Sequence, residues 1–145
     1  MIIDSLNQKI VEAMKAHEDV RVSTLKLLSS EIHNFQIDHP EMTENEELDV
    51  VKKEAKKRRD AIESYIKAGL QDRADAEAME LKVLKEFLPA ELTDKELQQF
   101  VNEAITETSA TEIKDMGKVI ALVMKKSNNN ADGGRTATIV KQKLQ

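Results

Sequence analysis

The residues best placed to do chemistry in this 145-residue chain flank two helix starts in its last third. One is Asp115-Met116-Gly117-Lys118. The other is Ala131-Asp132-Gly133-Gly134-Arg135-Thr136, and the two together hold three of the four glycines. A helix N-terminus offers free backbone N–H groups and about half a positive charge, which suits a phosphate. Gly117, Gly133 and Gly134 would let another backbone approach closely, with Lys118, Arg135 and Thr136 adding contacts. Ordinary capping competes with this reading. Asp115 and Asp132 are the right type for N-caps, with the glycines making tight turns, and an N-cap carboxylate would compete with an incoming phosphate.

A second cationic feature is the run Lys52-Lys53-Glu54-Ala55-Lys56-Lys57-Arg58-Arg59. On a helix, Lys52, Lys53, Lys56, Lys57 and Arg59 spread over the face opposite Val51, Ala55 and Ile62. That face reads as a stripe for nucleic acid or as a solvated surface laced by i,i+4 pairs, since Asp49, Asp60 and Glu63 stand at pairing distance along it. Arg58 falls inside the apolar stripe, so its guanidinium either reaches water along its stem or pairs with an acid of another helix.

Catalytic groups are sparse. The chain has no cysteine. Its three histidines, His17, His33 and His39, are scattered, and no nucleophile elbow, phosphate-binding loop or zinc-protease motif occurs. His33, Asp38 and His39 match no metal-ligand spacing, so neither a metal nor a cofactor is expected.

These residues must be carried by helices. Apolar residues make up 40% of the chain and aromatics 3%, with two prolines, which favours helix over sheet. Without cysteine, a disulfide scaffold is excluded. No apolar run approaches the roughly 20 residues that span a membrane, and Met1 to Lys9 lacks the pattern of a secretory signal. A cytoplasmic location follows as an expectation. Leu6, Ile10 and Met14 recur at helical spacing, as do Leu25, Leu28, Ile32 and Phe35. Leu48, Val51, Ala55, Ile62 and Tyr65 form a third set, and Ala74, Ala78, Leu81, Leu84 and Leu88 a fourth. No period-two alternation is sustained, so no sheet is expected.

Punctuation sets the bounds. His39-Pro40 breaks the chain, and Thr43 with Glu46 makes a capping box. Gly69 is a C′ stop for a helix over about 43–68. Pro89 ends the fourth helix, Thr93 and Glu96 make a second capping box, and shorter helices follow at about 94–108, 115–126 and 133–144. The expected fold is all-α, an N-terminal long-helix bundle over 1–90 followed by a small three-helix tail over 91–145. Residues 1–92 carry 14 Lys/Arg against 20 Asp/Glu, a net −6, and residues 93–145 carry 8 against 7, a net +1. An acidic chain is a poor general polyanion binder, so any nucleic acid contact should be local and C-terminal.

The stretch Lys57-Arg58-Arg59-Asp60-Ala61-Ile62-Glu63-Ser64-Tyr65-Ile66-Lys67-Ala68-Gly69, the stretch Glu80 to Leu92, Asp115 to Ile120, and Ala131-Asp132-Gly133 together resemble the YqeY-like family. These are small bacterial proteins similar to the C-terminal tail of one component of the glutamine-dependent Asp/Glu-tRNA amidotransferase (GatB/YqeY). The resemblance spans essentially the whole chain. It implies a two-domain helical fold whose last roughly 50 residues are similar to a tail that helps grip tRNA, with the catalytic centres of that enzyme lying elsewhere. The chain departs from the family pattern at Leu70-Gln71-Asp72-Arg73-Ala74, where Arg and a D-L-A run are usual. It departs again at Asn130, where Gly is usual and where Asn would tolerate a left-handed turn.

The leading expectation is a non-catalytic binding module for tRNA or another structured RNA. It would read shape and backbone through helix N-termini and through Lys114, Lys118, Lys125, Lys126, Arg135, Lys141 and Lys143, with Thr136 beside them. A helical adaptor for a protein of the translation or amidation machinery is the first alternative. The second is carbon–nitrogen ligation with glutamine as nitrogen donor, which rests on family association alone. No membrane partner is expected.

Overall fold

The computed structural model describes residues 1–128 and 130–145, and every regular element among them is helical. Asn129, in the Ser127-Asn128-Asn129-Asn130 loop, lies outside the described residues. The chain forms two compact units, Met1–Pro89 and Ala90–Gln145. The first holds α1 (Ile2–Lys15), α2 (Asp19–Asp38), α3 (Glu44–Lys67) and α4 (Gln71–Lys85). The second holds α5 (Asp94–Thr108), a 3-10 turn (Ile113–Asp115), α6 (Met116–Lys126) and α7 (Gly133–Leu144).

Local chemistry explains the sharpest boundaries. Thr43 Oγ1 accepts from the Glu46 N–H at 3.2 Å while the Glu46 carboxylate accepts from the Thr43 N–H at 2.8 Å. Thr93 and Glu96 repeat the arrangement at the start of α5, at 3.2 and 2.9 Å. Each box satisfies two donors that a helix start leaves open. Gly69 stops α3 in the left-handed region, φ +72°. The Leu70 N–H reaches back to the Tyr65 carbonyl at 2.8 Å, closing the last turn.

In the first unit α1 packs on α2, α2 packs on α3 and α4, and α3 lies along α4. Leu6, Ala13, Leu25, Leu28, Ile32, Met42, Val51, Val83 and Leu84 form its core. Fully burying a leucine or isoleucine is worth about 1.5–3 kcal/mol, so Leu6, Leu25, Leu28, Ile32 and Leu84 dominate.

The periodicity departs from the structure at three places. Met14 is 53% exposed and Ala13 is buried in its stead, because two four-residue steps from Leu6 carry Met14 about 80° off the inward face while Ala13, seven residues on, stays on it. On α3 the fully buried residue beside Leu48 is Glu47, for a reason that lies on α1. Its carboxylate accepts from the backbone N–H groups of Ile2 and Ile3, both at 2.7 Å. Finally, α4 stops at Lys85, before Pro89. The N–H groups of Glu86, Phe87 and Leu88 bond three residues back, to Val83, Leu84 and Lys85. This tighter winding rolls Phe87 and Leu88 onto the core.

Arg58 is paired across helices. Its Nε lies 2.7 Å from Glu80 Oε2 and 3.5 Å from Glu77 Oε2, both on α4. The neighbouring cations behave as a solvated face, with Lys56 on Asp60 at 3.3 Å and Lys57 on Glu54 at 2.7 Å. Among the described residues no helix is long and apolar enough to cross a membrane.

Candidate functional site

The C-terminal unit is built on Leu97, Val101, Ala104, Val119, Val123, Val140 and Leu144, which interlock α5, α6 and α7. That packing fixes which cations face water. Asp132 is the N-cap of α7, its carboxylate accepting from the Arg135 N–H at 2.8 Å. The Thr136 hydroxyl donates to the Asp132 carbonyl at 2.7 Å, and Thr136 is fully buried. Thr136 therefore cannot contact a ligand, contrary to expectation. Its methyl side packs inward, and its one donor is spent on the helix.

Gly117 is the second residue of α6, and Gly133 and Gly134 are the first two of α7. None has a positive φ, so none makes a tight turn as the capping reading supposed. Among the described residues of this unit, Ser109 and Asn128 take the left-handed conformation, both at φ +53°. A Cβ at Gly117 or Gly133 would meet nothing within 4 Å, and one at Gly134 would meet only the Asp132 carboxylate at 3.4 Å. The packing of the chain itself does not require glycine at these positions.

Asp115 also departs from expectation. It makes no side-chain bond to the start of α6. Its carboxylate turns back to accept from the N–H groups of Thr111 and Glu112, at 3.1 and 3.2 Å. The 3-10 turn runs directly into α6, so the open donors lie ahead of that turn, and Asp115 takes two of them. Those two bonds hold its carboxyl below the usual range, with the Lys118 and Lys114 charges adding to the effect. The segment 115–118 is therefore not a bare helix N-terminus.

The cations divide into two groups. Residues 111–145 carry seven Lys/Arg against three Asp/Glu, a net +4. Lys114 pairs with Glu112 at 2.9 Å. Lys126 bonds Glu107 and lies 3.5 Å from Glu103, both on α5. The Glu107 hydrogen bond is the main reason that its pKa is raised. Arg135 donates to the Leu92 carbonyl at 3.1 Å and to Asp94 at 2.5 Å, tying α7 to the start of α5. These three are committed within the unit. Lys118, Lys125, Lys141 and Lys143 are exposed, with no acidic partner within 4 Å among the described residues. Lys118 and Lys125 stand seven residues apart on one face of α6, while Lys141 and Lys143 point to different sides of the end of α7.

Sequence reasoning missed the acids that engage these cations. Glu103 and Glu107 lie on α5 and Asp94 lies 41 residues from Arg135, so no local spacing announced either pairing. Among the described residues no group of three or more His, Asp or Glu is placed to hold a metal.

The family model described as Yqey-like protein matches residues 3–144. The chain belongs to the YqeY-like family. Within this family setting, the YqeY-like chain is 36% identical over 85 residues to an uncharacterized protein of Schizosaccharomyces pombe, covering 58% of this chain and 69% of that one. It is 27% identical over 120 residues to altered inheritance of mitochondria protein 41, mitochondrial, of Vanderwaltozyma polyspora, covering 77% of this chain and 64% of that one. The protein of the same name from Kluyveromyces lactis is 31% identical over 90 residues, covering 61% of this chain and 49% of that one. The aligned region is thus about half to two thirds of the length of these relatives.

Proposed function

We propose that the C-terminal unit is a non-catalytic binding module for the sugar–phosphate backbone of a structured RNA, with tRNA as the leading ligand class. One observation carries the reading. Of the seven cations in 111–145, four stay exposed and without an acidic partner among the described residues, namely Lys118, Lys125, Lys141 and Lys143. An ammonium held in water at a helix surface binds phosphate as a point charge. The open space around Gly117 and Gly133 supports the reading, because a Cβ there would meet nothing within 4 Å, which leaves room for a ligand backbone to come close. The resemblance to an amidotransferase tail supports tRNA as the RNA class. Contacts of this kind position a backbone and do not read sequence.

The test is binding of bulk tRNA by the full chain, read by fluorescence anisotropy at low salt. Replacing all four lysines by glutamine should weaken binding at least about tenfold while helicity is kept. Equal binding by the parent and the quadruple variant overturns the proposal.

A second reading is a helical adaptor. Val11, Met14, Val20 and Leu27 on α1 and α2 are exposed, on a unit whose charge is strongly acidic. Exposed apolar side chains on helix faces suit a protein partner. Capture of a protein after ribonuclease treatment, by a chain that fails to bind tRNA, would put this reading first.

A further inference from the structure

The burial of α3 and α4 is uneven along their length. The base of the pair buries Val51, Glu54, Ala55, Leu81, Val83 and Leu84. Across residues 58–80, which form the outer half of the pair and the turn between the helices, only Ala74 is buried. Ala74 lies outside the core cluster of the unit. Ile66, Leu70 and Met79 in this stretch are 54%, 43% and 55% exposed. The outer half of α3 runs from Arg58 to Lys67, about 14 Å. The Glu63–Lys67 pair on α3 and the Gln71–Asp75 hydrogen bond on α4 each stay on one helix.

The junction between base and outer half is ionic. Arg58 is 12% exposed and sits among three carboxylates, Glu80 at 2.7 Å, Glu77 at 3.5 Å and Glu54 at 3.7 Å. Glu54 is buried and also holds Lys57 at 2.7 Å. A segment with few buried apolar contacts and much exposed backbone opens at a lower free energy than the core beneath it. A charge cluster centred on the largely buried Arg58 and Glu54, at the start of such a segment, is costly to break, because removal of Arg58 leaves partly buried carboxylates without its charge.

We infer that residues 58–80 form an arm that opens as a unit without unfolding α1 and α2, and that the Arg58–Glu80 pair across its base is the latch that opening must break. Opening separates the outer turns of α3 and α4 and bares Ile62 and Tyr65. The base keeps its packing, since Val51, Val83 and Leu84 belong to the shared core.

Native-state hydrogen exchange of the full chain, read by mass spectrometry across a urea series, tests this. Amides at 62–66 and 74–78 should exchange at least about tenfold faster than those at 25–32. Their urea dependence should be shallower, since less surface is exposed. Arg58→Met should speed exchange across the arm by about tenfold or more while amides at 25–32 are unchanged. Equal rates and urea slopes in the arm and α2 of the parent overturn the independent arm. A variant that speeds both regions together, or neither, overturns the latch. If Arg58→Met does not fold, the parent pattern and Glu80→Gln, which removes the 2.7 Å charged contact at nearly constant volume, decide the matter by the same readouts.

Discussion

The carboxylate of Glu47, in the first turn of α3, accepts a hydrogen bond from the backbone N–H of Ile2 at 2.7 Å and another of the same length from Ile3. A side chain from one helix thereby caps the start of another. Two of the four donors that every helix N-terminus leaves open are satisfied across a sequence distance of about 45 residues. The positive end of the α1 dipole faces the negative charge, which explains how a carboxylate is tolerated at 1% exposure.

Glu47→Ala should destabilise the N-terminal unit by about 2–4 kcal/mol, because two charge-assisted bonds are lost and two partly buried N–H groups are left without a partner. Glu47→Gln keeps one acceptor and should cost about half as much. Urea denaturation followed by circular dichroism measures both. Equal stability of Glu47→Ala and the parent would contradict the capping role.

How much of this was legible in the sequence follows from the range of each interaction. The bounds of α3 and α5 were readable because Thr43, Glu46, Gly69, Thr93 and Glu96 act within one turn of their own positions. Glu47 was not, since its partners are the N–H groups of Ile2 and Ile3, which carry no side-chain signature. Arg58 was half legible. Its place in an apolar stripe demanded a partner, but nothing in the spacing chose Glu80. At the candidate site, Arg135 and Lys126 looked as available as Lys118 until packing brought Asp94 and Glu107 to them. Thr136 looked like a ligand contact and is a core residue.

The C-terminal unit has its own core and should fold alone. A fragment from Ala90 to Gln145 should give a helical circular dichroism spectrum and a cooperative melt. A chain of this size is marginal, so one lost core side chain matters. Val123→Ala, at a fully buried position, should abolish the cooperative melt of the fragment. A coil-like spectrum of the parent fragment would show that this unit depends on the rest of the chain.

Acid sensitivity should follow Glu46 and Asp115. Backbone hydrogen bonds hold both carboxyls below their ordinary values, from Thr43 at Glu46 and from Thr111 and Glu112 at Asp115. A depressed folded pKa means that the unfolded chain binds more protons. The contribution is therefore present above the ordinary carboxylate range and is lost as pH falls through the folded pKa. Asp115→Asn should flatten the fall in stability of the C-terminal unit between about pH 5 and pH 2. Unfolding curves across that window, for parent and variant, measure it. An unchanged acid limb would mean that the Thr111 and Glu112 bonds contribute nothing in solution.

The last prediction separates the committed cations from the free ones. Arg135 holds the Leu92 carbonyl and Asp94, so its replacement is expected to act on folding. Arg135→Ala should cost the C-terminal unit about 1–2 kcal/mol, whereas Lys118→Gln should change stability by less than about 0.5 kcal/mol. In tRNA binding the order should reverse. Four exposed lysines can neutralise four phosphates at most. The slope of log affinity against log salt should then lie near −3, since each phosphate contributes roughly 0.7–0.9. Each single change among Lys118, Lys125, Lys141 and Lys143 to glutamine should reduce that slope by about one unit or less. Reversing Lys56, whose charge already faces Asp60, should leave it unchanged. A slope insensitive to all four lysines would locate the RNA contact elsewhere on the chain, however tight the binding.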